Sequence, residues 1–242
     1  MIPVANSAPA FPLPRAPLSE APLDLDIFGQ LEALIQTHVK EGRYPGCQVA
    51  LAYQGKLVFD QGFGNARQGD SPVPANSDTL WVLYSNTKIL MATTLWKLME
   101  MGRLRFSDKV ADHLPEFAAH GKGDITLFQV ITHQAGFPNA EVPAEIWLDH
   151  QQVRAAVADF VPEWPAGSRV HYHSLSAHWV LAMVIEAITG HDYRQVVTDL
   201  VLTPLGLSQD LFMGLPEALL PQNSTRMAYL YEPPQTLRME ST

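Results

Sequence analysis

Ser85-Asn86-Thr87-Lys88 sets a hydroxyl and a primary amine three residues apart. The run opens a helix predicted from about Ser85 to Met101, so the two side chains share one face, one turn apart. A hydroxyl at a helix N-terminus lies among unpaired backbone N–H groups and at the positive end of the helix dipole. An amine within reach of it, its pKa lowered by partial burial, can help take the hydroxyl proton and create a nucleophile. The same four residues also read as a helix cap followed by a solvated lysine. Two fixed residues recur by chance in a chain of this size, so the pair alone does not decide between the readings.

Tyr172-His173-Ser174 is the second constellation. It follows the turn Trp164–Gly167 and precedes a helix predicted over His178–Thr189, which puts the tyrosine on a loop, where functional groups are commonly displayed. The alternative is a half-buried loop tyrosine with its hydroxyl in solvent. His171, His173 and His178 cluster nearby, and H-x-H can bind zinc. No cysteine supports such a site, and Glu186 is the only carboxylate near ligand spacing, so no metal is assigned. The chain has a single cysteine, Cys47, which excludes an intrachain disulfide and reads as a buried small hydrophobe in the apolar run Cys47–Leu51. A G-x-S-x-G elbow is absent.

These groups must be held by a folded frame, and the composition supplies one. Hydrophobic residues make up 47% of the 242 positions and charged residues 17%, enough apolar area to offset chain entropy. A net charge of −9 argues against nucleic-acid binding and against docking on an anionic membrane. No apolar run is long enough to span a bilayer, and the proline-broken N-terminus is not a secretory signal. The expected location is therefore cytoplasmic.

Residues 1–23 hold six of the 19 prolines and are expected to form a flexible arm. Residues 24–242 form the domain, with 24–80 sheet-forming and 81–242 mainly helical. Phe28, Leu31, Ile35 and Val39 recur at helical spacing, and Gly42 follows them. Cys47–Tyr53 and Lys56–Gly64, joined by Gln54-Gly55, predict a hairpin, with Gly62-Phe63-Gly64 closing the second strand. In the helix after Ser85, the predicted buried face is Ile89, Ala92, Leu95 and Met99, with Leu98 beside it. Further helices are predicted over Ile125–His133, Gln151–Phe160 and from Tyr193. Only two strands are legible, and two strands alone are marginal.

Several segments in sequence order carry a resemblance. Asp78–Trp81 leads into Ser85-Asn86-Thr87-Lys88; Met101–Leu104, Asp108–Val110 and Leu114-Pro115 follow; then Ile125–Leu127 with Thr132–Gly136, Pro165–Ser168 through Tyr172, and Pro204–Leu207. Over roughly residues 25–230 the chain resembles the serine β-lactamase-related superfamily. The nearest branch is that of class C β-lactamases, penicillin-binding DD-peptidases and family VIII carboxylesterases. The resemblance implies an α+β, β-lactamase/transpeptidase-like fold, an antiparallel sheet plus a helical domain. It also implies Ser85 as acylated nucleophile, Lys88 as the group that eases its deprotonation, and Tyr172 as base or proton relay. Ser174 falls where class C enzymes carry a substrate-binding asparagine. Tyr84-Ser85-Asn86 spells the family's second motif, but it overlaps the nucleophile, so Tyr172 takes that role. His133 reads as structural.

Two departures shape the expected function. Serine at 174 is shorter than asparagine and moves the expected substrate from β-lactams toward small esters. The family's third motif, on a strand near its C-terminus, is not found before Thr242, and the sheet's C-terminal strands are missing with it. The expected activity is that of a serine hydrolase, a carboxylesterase on small ester or amide substrates, without metal or organic cofactor. The alternatives are a β-lactamase, DD-peptidase or acyltransferase using the same acyl-enzyme, and a non-catalytic fragment or half of a split enzyme. A complementing chain or self-association belongs to the last.

Overall fold

A computed structural model describes residues 13–231. Two compact units divide the described residues: 13–82 with 205–231, and Leu83–Pro204.

The first unit contains helix α1 (Leu25–Lys40) and strands β1 (Gly46–Tyr53), β2 (Lys56–Arg67) and β3 (Val73–Pro74). The Asp24 carboxylate starts α1 by accepting from the N–H groups of Asp26 and Ile27, two donors that a helix leaves unpaired. β1 and β2 pair antiparallel from Gly46↔Gly64 to Tyr53↔Lys56. Both turn residues have positive φ, +46° at Gln54 and +74° at Gly55, the twist that suits a two-residue hairpin. β2 does not close at Gly64 as the glycines suggest; it runs on to Arg67 and pairs with β3. Gly62 serves a close approach, since a Cβ there would lie 2.1 Å from the Ala75 carbonyl oxygen. The third strand sits in the polar, turn-rich stretch where pattern reading found none, because two residues are too few to show an alternation. Val58, Phe63 and Ala66 of β2 are buried with Ile35 of α1, and Phe28 meets Phe59 edge to face. Cys47 is half-buried rather than buried, and burial raises its thiol pKa.

The expected flexible arm falls partly outside the described residues. From Pro14 onward the segment lies along β2: Leu57 N–H donates to Pro14 O and Ala16 N–H to Leu57 O, with Arg15 paired to Asp60. Residues 205–231 return to this unit through helix α8 (Leu220–Asn223), and Leu80 exchanges backbone bonds with Arg226 and Ala228.

The second unit is helical. It comprises α2 (Thr87–Glu100), α3 (Val110–His113), α4 (Leu127–Ile131), α5 (His150–Ala158), α6 (Ser176–Thr189) and α7 (Tyr193–Val197). α6 is apolar almost all round, with Ala177 and Val180 to Ile185 buried, and it packs against α2, α3, α4, α5 and α7. Its C-terminus closes on Gly190 in the left-handed conformation, φ +73°. The buried face of α2 is Met91, Thr94, Leu95 and Leu98, while Ile89 is 66% exposed. α2 carries apolar residues on most of its circumference, so its periodicity did not single out the stripe that meets α6. Lys122 is fully buried and donates to the carbonyls of Ala119, Ala158 and Phe160, tying the segment after α3 to the end of α5. No helix among the described residues is long and apolar enough to cross a membrane.

Candidate active site

The helical unit brings Ser85, Lys88 and Tyr172 together. Ser85 lies in a single 3₁₀ turn, Tyr84–Asn86, that runs into α2. Lys88 Nζ donates to Ser85 Oγ at 3.0 Å, as the three-residue spacing predicts. Tyr172 Oη donates to the same oxygen at 2.7 Å across 87 residues of chain. The ammonium also sits 5.2 Å from the centre of the Tyr172 ring. Ser85 is exposed, Lys88 is half-buried and Tyr172 is 50% exposed, so the reacting oxygen is open to a ligand.

Tyr84 sits in the left-handed region with φ +45°. A bulky non-glycine residue there is strained, by about 1–3 kcal/mol, and such strain is found where backbone geometry serves a site. Tyr84 is the first residue of the helical turn, and the next residue, Ser85, displays its hydroxyl at the surface. Sequence patterns carry no signal for this conformation.

The electrostatics favour a reactive phenol. The Ser85 hydroxyl bonded to Tyr172, and then the Lys88 ammonium beside it, hold the tyrosine below its ordinary pKa, against the opposing effect of burial. The neighbouring histidines are kept neutral. Burial pushes His178 down to about 3, with Lys88 and His133 adding to the effect. Burial, then His173 and Lys88, lowers His133. His173 is lowered chiefly by burial.

Ser174 is exposed on the loop two residues beyond Tyr172. The histidine cluster considered as a metal site is used otherwise: His173 Nδ1 bonds His171 O at 2.6 Å and its Nε2 accepts from Phe137 N–H at 3.1 Å. Among the described residues, His150, Glu186 and Asp192 present potential ligand atoms within 4.8 Å of one another. They form a closed network instead: Glu186 bonds His150 Nδ1 and Tyr193 N–H, and Arg194 covers Asp192. A surface cleft of about 610 Å³, lined by residues that include Gln129, Glu163 and Trp164, contains none of the three central side chains.

The chain is similar to several known proteins. The chain is 30% identical to the esterase/beta-lactamase LipL of Mycobacterium tuberculosis over 192 residues, 79% of this chain and 43% of LipL. A crystal structure of a family VIII carboxylesterase superposes with a TM-score of 0.75 at 30% identity, covering 90% of this chain and 56% of that one. A penicillin-binding protein homologue from Caulobacter crescentus gives 0.73 at 33% identity, with 86% and 55% covered. The chain spans between 38% and 54% of the length of the first curated relatives it matches. The family model described as Beta-lactamase matches residues 31–238, with the Ser85, Lys88 and Tyr172 cluster inside the match, and the chain belongs to that family.

Proposed function

We propose that the chain is a serine hydrolase that works through an acyl-enzyme on Ser85, with small carboxylic esters as its substrates. The observation that carries this reading is the convergence of Lys88 Nζ and Tyr172 Oη on Ser85 Oγ, at 3.0 and 2.7 Å. With Tyr172 ionised, the sense of its hydrogen bond reverses and Ser85 O–H donates to the phenolate. Ser85 Oγ attacks the ester carbonyl, its proton passes to Tyr172, and a tetrahedral intermediate forms. Collapse breaks the carbon–alkoxide bond, and Tyr172 returns the proton to the departing alcohol. Water then attacks the acyl-enzyme, Tyr172 takes its proton and gives it to Ser85 Oγ, and the carboxylic acid leaves. The Ser85 N–H, at the start of the helical turn, supplies one donor to the developing oxyanion.

The ester preference draws support from two sources. The family VIII carboxylesterase and LipL are each 30% identical to this chain. Ser174 offers a hydroxyl where an amide would meet a β-lactam side chain. The test is hydrolysis of p-nitrophenyl butyrate by wild type and Ser85→Ala. The expected loss is at least about 10³-fold in kcat, and equal rates would refute the assignment. A β-lactam is the second reading, favoured by the LipL resemblance, because the same nucleophile opens a lactam. Intact mass after penicillin treatment decides it: a stable adduct on Ser85 supports this reading.

A further inference from the structure

Tyr172 is held on both sides by one residue, His133. His133 follows α4 in the left-handed conformation, φ +61°. Its carbonyl oxygen accepts from His171 N–H at 3.0 Å, and its ring Nδ1 accepts from His173 N–H at 3.2 Å. One residue therefore receives the backbone donors immediately before and immediately after Tyr172. The imidazole lies across the gap with its centre 4.9 Å from that of the Tyr172 ring. His173 braces the same loop from beneath, bonded to His171 O and to Phe137 N–H.

We infer that His133 is the positioning residue of Tyr172, fixing the phenol on Ser85 by accepting the hydrogen bonds of both flanking residues. This rests on the reading of Ser85 and Tyr172 as the reacting pair. The geometry narrows the side chain allowed at 133. It must tolerate positive φ, which asparagine and glycine do and β-branched residues do not. It must also present an acceptor one bond beyond Cγ. An imidazole that accepts at Nδ1 carries its proton on Nε2 and is neutral. A carboxylate in its place would put a negative charge against the Tyr172 ring and oppose phenolate formation. Asparagine therefore preserves both requirements, and glycine preserves the backbone alone.

The first measurement does not depend on turnover. The Tyr172 phenol is titrated by its phenolate absorbance, as the difference between each protein and its Tyr172→Phe counterpart. The groups facing the phenol are Ser85, Lys88 and the rings of His133 and, behind it, His173 and His178. In wild type the phenol is expected to ionise below the ordinary tyrosine range. His133→Gly, with Tyr172 no longer fixed on Ser85 and Lys88, should move the midpoint up, and His133→Asn should leave it within a few tenths of wild type. Identical midpoints in all three, or a midpoint in the asparagine variant that follows glycine, overturns the inference.

The second measurement is the acylation burst with p-nitrophenyl butyrate. Misplacing a catalytic group by about 1 Å can cost about 10²-fold, so a loss approaching this in acylation rate is expected for His133→Gly, with recovery in His133→Asn. In the Tyr172→Phe background, His133→Gly should cost little more, because a residue that acts through Tyr172 has nothing left to position. An equal loss in both backgrounds would mark His133 as a general structural residue and refute the assignment. Failure of the catalytic reading looks different: Ser85→Ala would keep the burst while the Tyr172 titration still shifted with His133.

Discussion

At the scale of single residues, Ser85 Oγ accepts from Tyr172 and Lys88 together. The phenolate is the form that can receive a proton, so the acylation rate should rise with pH as Tyr172 ionises. Its pKa is lowered first by the Ser85 hydrogen bond and then by Lys88, so the midpoint of that rise should fall below the ordinary tyrosine value of about 10. Lys88→Met removes the ammonium, raises the phenol pKa, and should move the rise to higher pH while lowering the rate at pH 7. The pH profile of kcat/KM for p-nitrophenyl butyrate measures both effects. An unmoved midpoint in an active Lys88→Met protein would show that another group titrates. Ser85 and Lys88 were legible in the sequence because i,i+3 contact on a helix is local. Tyr172 was legible through its resemblance to a family stretch. The strained Tyr84 and the double hydrogen bond to His133 were not, since they depend on φ values and on contacts across about 40 residues.

Helices and strands were legible where a run is long and a single face is apolar. α1, the hairpin β1–β2 and α6 lie where the periodicity puts them, within a few residues at their ends. The exposed Ile89 shows where this reading stops: on α2 several stripes are apolar, and only the position of α6 selects one. Lys122 is a second case, a lysine that composition assigns to the surface and that the fold buries among three carbonyls. Those bonds favour its ammonium, while burial pulls the pKa down to about 8. Lys122→Met keeps the length of the side chain but leaves the carbonyls unpaired. A loss of about 2–4 kcal/mol is expected, read as a lower urea midpoint with an unchanged slope. Wild-type stability in this variant would mean that water satisfies the carbonyls.

At the scale of the whole molecule, two properties bear on behaviour in solution. The net charge is −9 at pH 7 and the sequence pI is about 5.4. Among the described residues β1 pairs only with β2, so the eight-residue strand Gly46–Tyr53 has one unpaired edge and carries no charged side chain to guard it. Association is therefore expected to be strongest near pH 5.4, where charge repulsion vanishes, and weaker in Ala50→Lys, which puts a charge at an exposed position of that edge. Light scattering across pH for the two proteins provides the measurement. Equal scattering at every pH would place the contact elsewhere.

The sequence by itself determined the chemistry available: a serine and a lysine one helical turn apart, a loop tyrosine, and an acidic, apolar-rich chain with one cysteine. It could do so because helical spacing is a local property, set by backbone hydrogen bonding within a turn. Only the tertiary structure decided that Tyr172 reaches Ser85 across 87 residues, that His133 braces it, and which face of α2 is buried. Those outcomes depend on side-chain packing and on conformations with positive φ, which arise when distant segments are pressed together and which no local pattern of residues encodes.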